Sequence, residues 1–321
     1  MNMGKKKVSE TKMPSLRGRM VKIMLQHRHL FQFKLRQELV DWNKYESILK
    51  FRQEVEDGAG KFGKMPGKII VTPVEIDQLD AEWISPGQAP LDRVILYFHG
   101  GGYVTGTCHS HRAITAKFVK AADTPALLFE YRLAPENPYP AALEDAVTAY
   151  RYLLEQEIKP SKIVFVGDSA GGGLCLATLL AIKDRKMPFP AAAVAYSPIT
   201  DFTCSGESHQ TKKNVCLSPL GMAPALAKHY AGDQDLTLPT ISPLYGDLKG
   251  LPPLLIYAGE DETLRDDAVR FGEKAQAAGV DITMHIGKGM FHCYPATAPL
   301  FPEATKAFNE ICAFVQKMLQ E

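Results

Sequence analysis

From residue 69 onward the sequence alternates between short runs of aliphatic and aromatic residues and longer amphipathic stretches, and nothing else in the chain limits the fold as strongly. The short runs fall at 69–76, 81–85, 93–98, 125–131, 162–167, 191–196, 253–258 and 281–286. Helical patterns separate most of them from the third onward, at 109–122, 141–156, 170–185 and 264–278, and a last one covers roughly 302–319. Several runs, such as Arg93-Val94-Ile95-Leu96-Tyr97-Phe98 and Lys162-Ile163-Val164-Phe165-Val166, are continuously apolar instead of alternating. A strand of that kind must be buried on both faces, as in a parallel sheet covered by helices. Strands alternating with helices place the chain in the α/β class.

Two regions stand apart from the alternation. The first sixty residues are rich in Lys, Arg, Gln and Glu, with Met20, Ile23, Met24, Leu30, Phe31, Phe33, Leu35 and Leu39 at helical intervals. They read as an N-terminal helical segment, 1–60, either packed on the main domain or lying as a lid over a site. Gly58, Gly60, Gly63, Pro66 and Gly67 mark a linker by composition, and the catalytic domain is expected over 68–321. Within it, residues 200–250 carry no strand pattern and only a short helical segment near 222–231, as expected of a cap inserted over an active site.

Charge and cysteine usage narrow the function. A formal net charge of +1 gives no global field for nucleic acid or an anionic membrane. The basic start, Lys5-Lys6-Lys7, is followed by Glu10, Lys12, Arg17, Arg19 and Lys22 rather than by the apolar core of a secretory signal. No apolar run is long enough to span a bilayer. The six cysteines show neither a Cys-x-x-Cys pair nor a disulfide spacing. A reduced, cytoplasmic protein acting on a small molecule is expected, with no metal and no cofactor.

The chemistry is concentrated at strand ends. Gly167-Asp168-Ser169-Ala170-Gly171 follows one apolar strand and opens a helical stretch, the setting of a nucleophile elbow. Such a turn projects the Ser169 hydroxyl above the sheet, and its flanking glycines leave room for neighbouring backbone. His99-Gly100-Gly101-Gly102 directly follows strand 93–98. Acyl transfer passes through an oxyanion that needs backbone N–H donors already in place, and a glycine run brings bare backbone to a substrate oxygen. Gly101, Gly102 and Ala170 are the expected donors.

A serine nucleophile needs a base, and the base an orienting carboxylate. In this architecture the order along the chain is Ser, acid, His. Of the late histidines, His285 lies within a strand, whereas His292 lies beyond it in Gly289-Met290-Phe291-His292, on a loop free to reach a serine. His292 is the expected base. After strand 253–258, Glu260, Asp261 and Glu262 share the loop while Asp266 and Asp267 fall in the first turn of the next helix, where negative charge is favourable anyway. Position favours Asp261 among the three loop residues.

These motifs resemble the hormone-sensitive-lipase-like branch of the α/β-hydrolases, the bacterial family IV esterases and lipases. The resemblance rests on His99-Gly100-Gly101-Gly102, Gly167-Asp168-Ser169-Ala170-Gly171-Gly172 and Tyr131-Arg132-Leu133-Ala134-Pro135-Glu136, and covers roughly residues 68–320. It implies an α/β-hydrolase fold, an eight-stranded and mostly parallel sheet with a helical cap, and it assigns Asp261 as the acid through an Asp-x-x-Leu-x-Asp setting and His292 through Gly-x-x-His. It further implies a carboxylesterase working through a Ser169–His292–Asp261 triad on short acyl esters, and a homodimer formed through the eighth-strand edge. An amidase or aryl formamidase on the same scaffold is the alternative, and a ligand-binding receptor that has lost hydrolysis belongs to another class.

Other features carry less. The histidines of Cys108-His109-Ser110-His111 have no distant metal-ligand partner and read as polar residues of a helix start. Asp168 is expected to bond nearby backbone, and Cys175, inside an apolar helical pattern, to be a small core residue.

Overall fold

All eight apolar runs become strands of one sheet. The computed structural model describes residues 14–27, 40–62, 65–87, 92–218 and 221–320. The strands are β1 (Ile70–Ile76), β2 (Leu79–Ser85), β3 (Val94–Phe98), β4 (Ala126–Phe129), β5 (Ile163–Asp168), β6 (Ala192–Tyr196), β7 (Leu254–Gly259) and β8 (Ile282–Gly287). Their order across the sheet is β1-β2-β4-β3-β5-β6-β7-β8. β2 runs antiparallel to both β1 and β4, and every other pairing is parallel. The α/β-hydrolase architecture expected from the sequence is the one observed.

The continuous apolar runs are explained by a core on each side of the sheet. Residues of one strand alternate between faces, so Val94, Leu96 and Phe98 enter one core cluster while Ile95 and Tyr97 enter the other. Over the first face lie α4 (Ala141–Glu155), α5 (Ser169–Asp184) and α8 (Arg265–Ala277); over the second lie α3 (Cys108–Ala122) and α9 (Pro302–Gln320). Helix α5 is buried almost all round, Cys175 included, which is why its sequence has no polar stripe. Phe165, fully buried against Phe98 and Tyr150 with ring centroids 5.0 Å from each, typifies the packing. Sites like this cost about 3–5 kcal/mol on truncation to alanine.

Two segments outside the strand–helix alternation border the sheet. α1 (Leu16–Gln26) and α2 (Tyr45–Phe62) belong to the N-terminal segment. Ser15 caps α1, its hydroxyl accepting from Gly18 N at 3.0 Å. The stripe residues Met20, Ile23 and Met24 are exposed on α1, and Leu30, Phe31, Phe33, Leu35 and Leu39 lie outside the described residues. α2 continues through Gly58 and Gly60, so the glycine-rich stretch begins inside a helix and not as a linker. Two glycines cost a helix only about 1 kcal/mol each, less than docking of the helix returns. Arg52 provides part of that docking, forking onto Glu136 with two 2.7 Å bonds and donating to the Ala134 carbonyl at 2.8 Å. Those bonds from Arg52 hold the Glu136 carboxyl down at about 2. The second such segment follows β6 and contains α6 (Ser208–Thr211) and α7 (Met222–Leu226), with no strand among its described residues.

Candidate active site

The elbow is built by close backbone approach. Ser169, the first residue of α5, has φ 52°, a left-handed conformation that costs a non-glycine residue energy and aims its side chain off the helix axis. A Cβ at Gly167 would stand 2.4 Å from the Gly171 carbonyl oxygen, and one at Gly171 would stand 2.1 Å from that of Phe98. Both positions therefore exclude side chains. The Ala170 N–H lies in the first turn of α5, where amides have no intrahelical acceptor.

The glycine loop after β3 is fixed against this turn. Asp168 accepts from Gly100 N and from the Tyr97 hydroxyl, each at 3.0 Å, and the Tyr97 hydroxyl lies 2.6 Å from that of Tyr196. Burial opposes ionisation of Asp168, yet His111 and the Tyr97 hydroxyl outweigh it and lower its pKa. Gly101 turns the loop back, its carbonyl accepting from Val104 N at 3.2 Å and Thr105 N at 3.0 Å. His99 stacks on Tyr131 at 4.0 Å between centroids. Burial, aided by His111, pushes the His99 pKa down to about 3, so its neutral ring donates through Nδ1 to the Gly100 carbonyl at 2.8 Å. Tyr131 in turn donates to the His99 carbonyl at 2.9 Å. Met222 and Leu226 of α7 crowd Gly102, within 3 Å of where its Cβ would be, so the insertion walls this loop.

His292 comes to the serine. Its Nε2 lies 3.0 Å from Ser169 Oγ, and its Nδ1 lies 2.5 Å from a carboxylate oxygen. That carboxylate belongs to Glu262, and the expectation for Asp261 is corrected. Asp261 is held by Lys22 and by Lys212, the latter at 3.0 Å, on another side of the loop. The Glu262 side chain is fully buried, and its second oxygen accepts from Gly259 N at 2.5 Å and from the Ser197 hydroxyl at 2.9 Å. Ser197 also accepts from Cys293 N at 2.9 Å, so one hydroxyl braces the acid and the histidine loop together. No local signal separates the two acids, because consecutive loop residues point to different sides and the inward choice depends on a histidine thirty positions away. Ser197 was equally invisible: it is a lone serine at the end of β6, with φ 53°.

The surroundings of His292 act on its protonation in opposite directions. Burial disfavours the imidazolium of His292, but the adjacent Cys293 sulfur, 3.5 Å from Nε2, and the Glu262 carboxylate outweigh it and raise the pKa well above the usual value. Burial pushes the Cys293 thiol up as well. Three other histidines among the described residues are occupied elsewhere. His285 stacks on Tyr257 at 4.7 Å, His229 lies 2.6 Å from the Trp42 carbonyl, and His109 lies 3.1 Å from Glu56. Thr107 and Ser110 form a capping box at the start of α3, as polar residues there would. Among the described residues no cluster of three metal-ligating side chains occurs, and no helix is long and apolar enough to cross a membrane.

Comparison with known proteins agrees with this fold. A family model described as alpha/beta hydrolase fold matches residues 95–296. An acetyl-hydrolase of Streptomyces hygroscopicus is 40% identical over 263 residues, covering 81% of this chain and 86% of its own. The crystal structure of an esterase from the bacterial hormone-sensitive lipase family is similar with a TM-score of 0.85 and 36% identity, over 96% of this chain and all of that one. The structure of EstE5 soaked with p-nitrophenyl butyrate is similar with a TM-score of 0.86, again at 36% identity, with the same coverage.

Proposed function

We propose, from the premise that this chain belongs to the hormone-sensitive-lipase-like α/β-hydrolases and is a carboxylesterase, that it cleaves short-chain acyl esters through a covalent intermediate on Ser169. The observation that carries this reading is the unbroken line from Ser169 Oγ through both nitrogens of His292 to the buried carboxylate of Glu262. His292 takes the Ser169 proton as the oxygen attacks the ester carbonyl, and Glu262 fixes the tautomer and stabilises the imidazolium that forms. The oxyanion is received by the N–H groups of Gly101, Gly102 and Ala170. His292 then gives its proton to the leaving alcohol. Water, activated by the same base, releases the acid and restores Ser169.

Glutamate in place of aspartate suits the geometry. Glu262 starts from a loop already bonded to the histidine loop, Asp261 N to the Met290 carbonyl at 2.8 Å, and its longer side chain reaches down to Ser197 and across to His292. Walling of the glycine loop by Met222 and Leu226 supports a small acyl group. Six free thiols support a reducing, cytoplasmic location, and the free edge of β8 supports a homodimer, which light scattering would test.

The deciding experiment is a series of p-nitrophenyl esters of increasing acyl length, run on the wild type and on Ser169→Ala. The wild type should be fastest on acetate or butyrate, and the variant should lose on the order of 10⁴–10⁶-fold in kcat. Substantial turnover by the variant would remove Ser169 from the mechanism, and a preference for long emulsified esters would make the enzyme a lipase.

A further inference from the structure

Asp261 lies one residue from the carboxylate that meets His292, yet its own carboxylate meets neither His292 nor Ser169 in any hydrogen bond of the described residues. It receives instead one lysine from each cap segment: Lys22 of α1 on one oxygen and Lys212, just after α6, on the other at 3.0 Å. Lys22 also donates to the Gly289 carbonyl at 3.3 Å, on the loop that leads to His292. The contact is reinforced around its rim. Gln26 at the end of α1 donates to the Val215 carbonyl at 3.1 Å, joining the two cap segments, and Pro14 packs on Gly289. The Asp261 amide bonds to the Met290 carbonyl, so the residue also laces the β7 loop to the β8 loop.

We infer that Asp261 is a positioning residue, an anchor that seats both cap segments on the loops carrying Glu262 and His292 and so sets the wall of the substrate site. Three features support it. First, the charges are sheltered: the side chains of Lys22, Lys212 and Asp261 are only 17%, 29% and 20% exposed, so solvent screens them less than a surface pair. Burial disfavours ionised Asp261, and the two lysines outweigh that and lower its pKa. Second, the insertion that Lys212 belongs to continues to Met222 and Leu226, which rest on Gly102 of the glycine loop. A displacement at the Lys212 end is therefore felt where the acyl group binds. Third, the anchor touches none of the reacting atoms, so its loss should weaken substrate binding and leave the chemistry in place. The inference rests on the assignment of Ser169, His292 and Glu262 above.

The test is steady-state kinetics of the full chain on p-nitrophenyl butyrate with Asp261→Asn, Lys22→Met and Lys212→Met, alone and combined. Asp261→Asn should raise KM about 5- to 20-fold while kcat stays within about threefold, and adding Lys22→Met to it should raise KM by less than Lys22→Met does alone, because the two variants share the loss of the Lys22–Asp261 pair. An unchanged KM, or a kcat loss as large as that of Glu262→Gln, overturns the anchor. Should Asp261→Asn fail to fold, judged by circular dichroism, the two lysine variants carry the same test. Activity retained by Ser169→Ala defeats the catalytic reading itself, whereas a silent Asp261→Asn beside an inactive Ser169→Ala defeats the anchor alone.

Discussion

Among the described residues two histidine–carboxylate pairs lie within 3 Å, and only one of them faces a nucleophilic hydroxyl. His292 and Glu262 are 2.5 Å apart; His209 and Asp267 are 2.8 Å apart. Both carboxylates are fully buried and both take further donors, Glu262 from Gly259 N and Ser197, Asp267 from Thr200 N and Asp201 N at 2.8 and 2.9 Å. The difference lies in the surroundings of the imidazole. His292 sits on a loop and presents Nε2 to Ser169, whose strained turn holds the hydroxyl out toward substrate. His209 spends Nε2 on Asp267 and, in the short helix α6, ties the insertion to the start of α8. An imidazole bonded to a carboxylate thus has no fixed role; on the proposed reading a nucleophile on its far side makes it a base, and a packed interior makes it a rivet.

That contrast is breakable by substitution. Glu262→Gln should show the largest effect after loss of Ser169 itself, a fall in kcat of about 10²–10⁴-fold with the fold retained. Its pH profile should move as well. Despite burial, Glu262 helps hold the His292 pKa above its usual value, and His292 must be neutral to act as base. Removing that charge lowers the pKa, so the acid limb of kcat/KM should shift to lower pH. A limb that stays in place would separate Glu262 from the titrating group.

His209→Ala should act on stability instead. Breaking one side of a buried pair costs about 3–5 kcal/mol, read by denaturant unfolding, while kcat of the folded enzyme stays within about threefold. The pH dependence follows from the sign of the shift. Burial works against charged His209, but Asp267 and Cys204 outweigh it and raise the pKa to about 10, above the unfolded value near 6.5. The stabilisation is then complete below about pH 6.5 and lost as pH rises toward 10, so the gap between wild type and variant should narrow over that range. A gap that widens would mean that the neutral ring is the stabilising form. The smallest effect belongs to Ser197→Ala, which loosens Glu262 without removing it and should cost about 10- to 150-fold in kcat, consistent with about 1.5–3 kcal/mol for one hydrogen bond to a charged group.

The reach of the sequence follows the range of the forces involved. Strand runs were legible because two-sided burial writes itself into consecutive residues, as in β3 and β5, whose every position is buried. Ser169 and the His99–Gly102 stretch were legible because close backbone approach demands glycine at fixed local offsets. His292 could be chosen because only a loop residue late in the chain could reach back to β5. The acid could not be read, since Asp261 and Glu262 have the same local chemistry and are sorted by Lys22, Lys212, Ser197 and His292, all distant in sequence. The glycines at 58 and 60 misled for a related reason: composition favours a linker there, and only the docked Arg52–Glu136 contact reveals what holds the helix.

The bonds of Asp168 have a mechanical consequence. One carboxylate oxygen takes Gly100 of the glycine loop and Tyr97 of β3, while its own backbone is the last step of β5 before Ser169. The attacking oxygen and the loop that awaits the developing negative charge are thereby clamped to one rigid jaw. When neighbouring strands flex or twist, that jaw travels as a unit, and the gap across which the carbonyl carbon turns tetrahedral keeps its width.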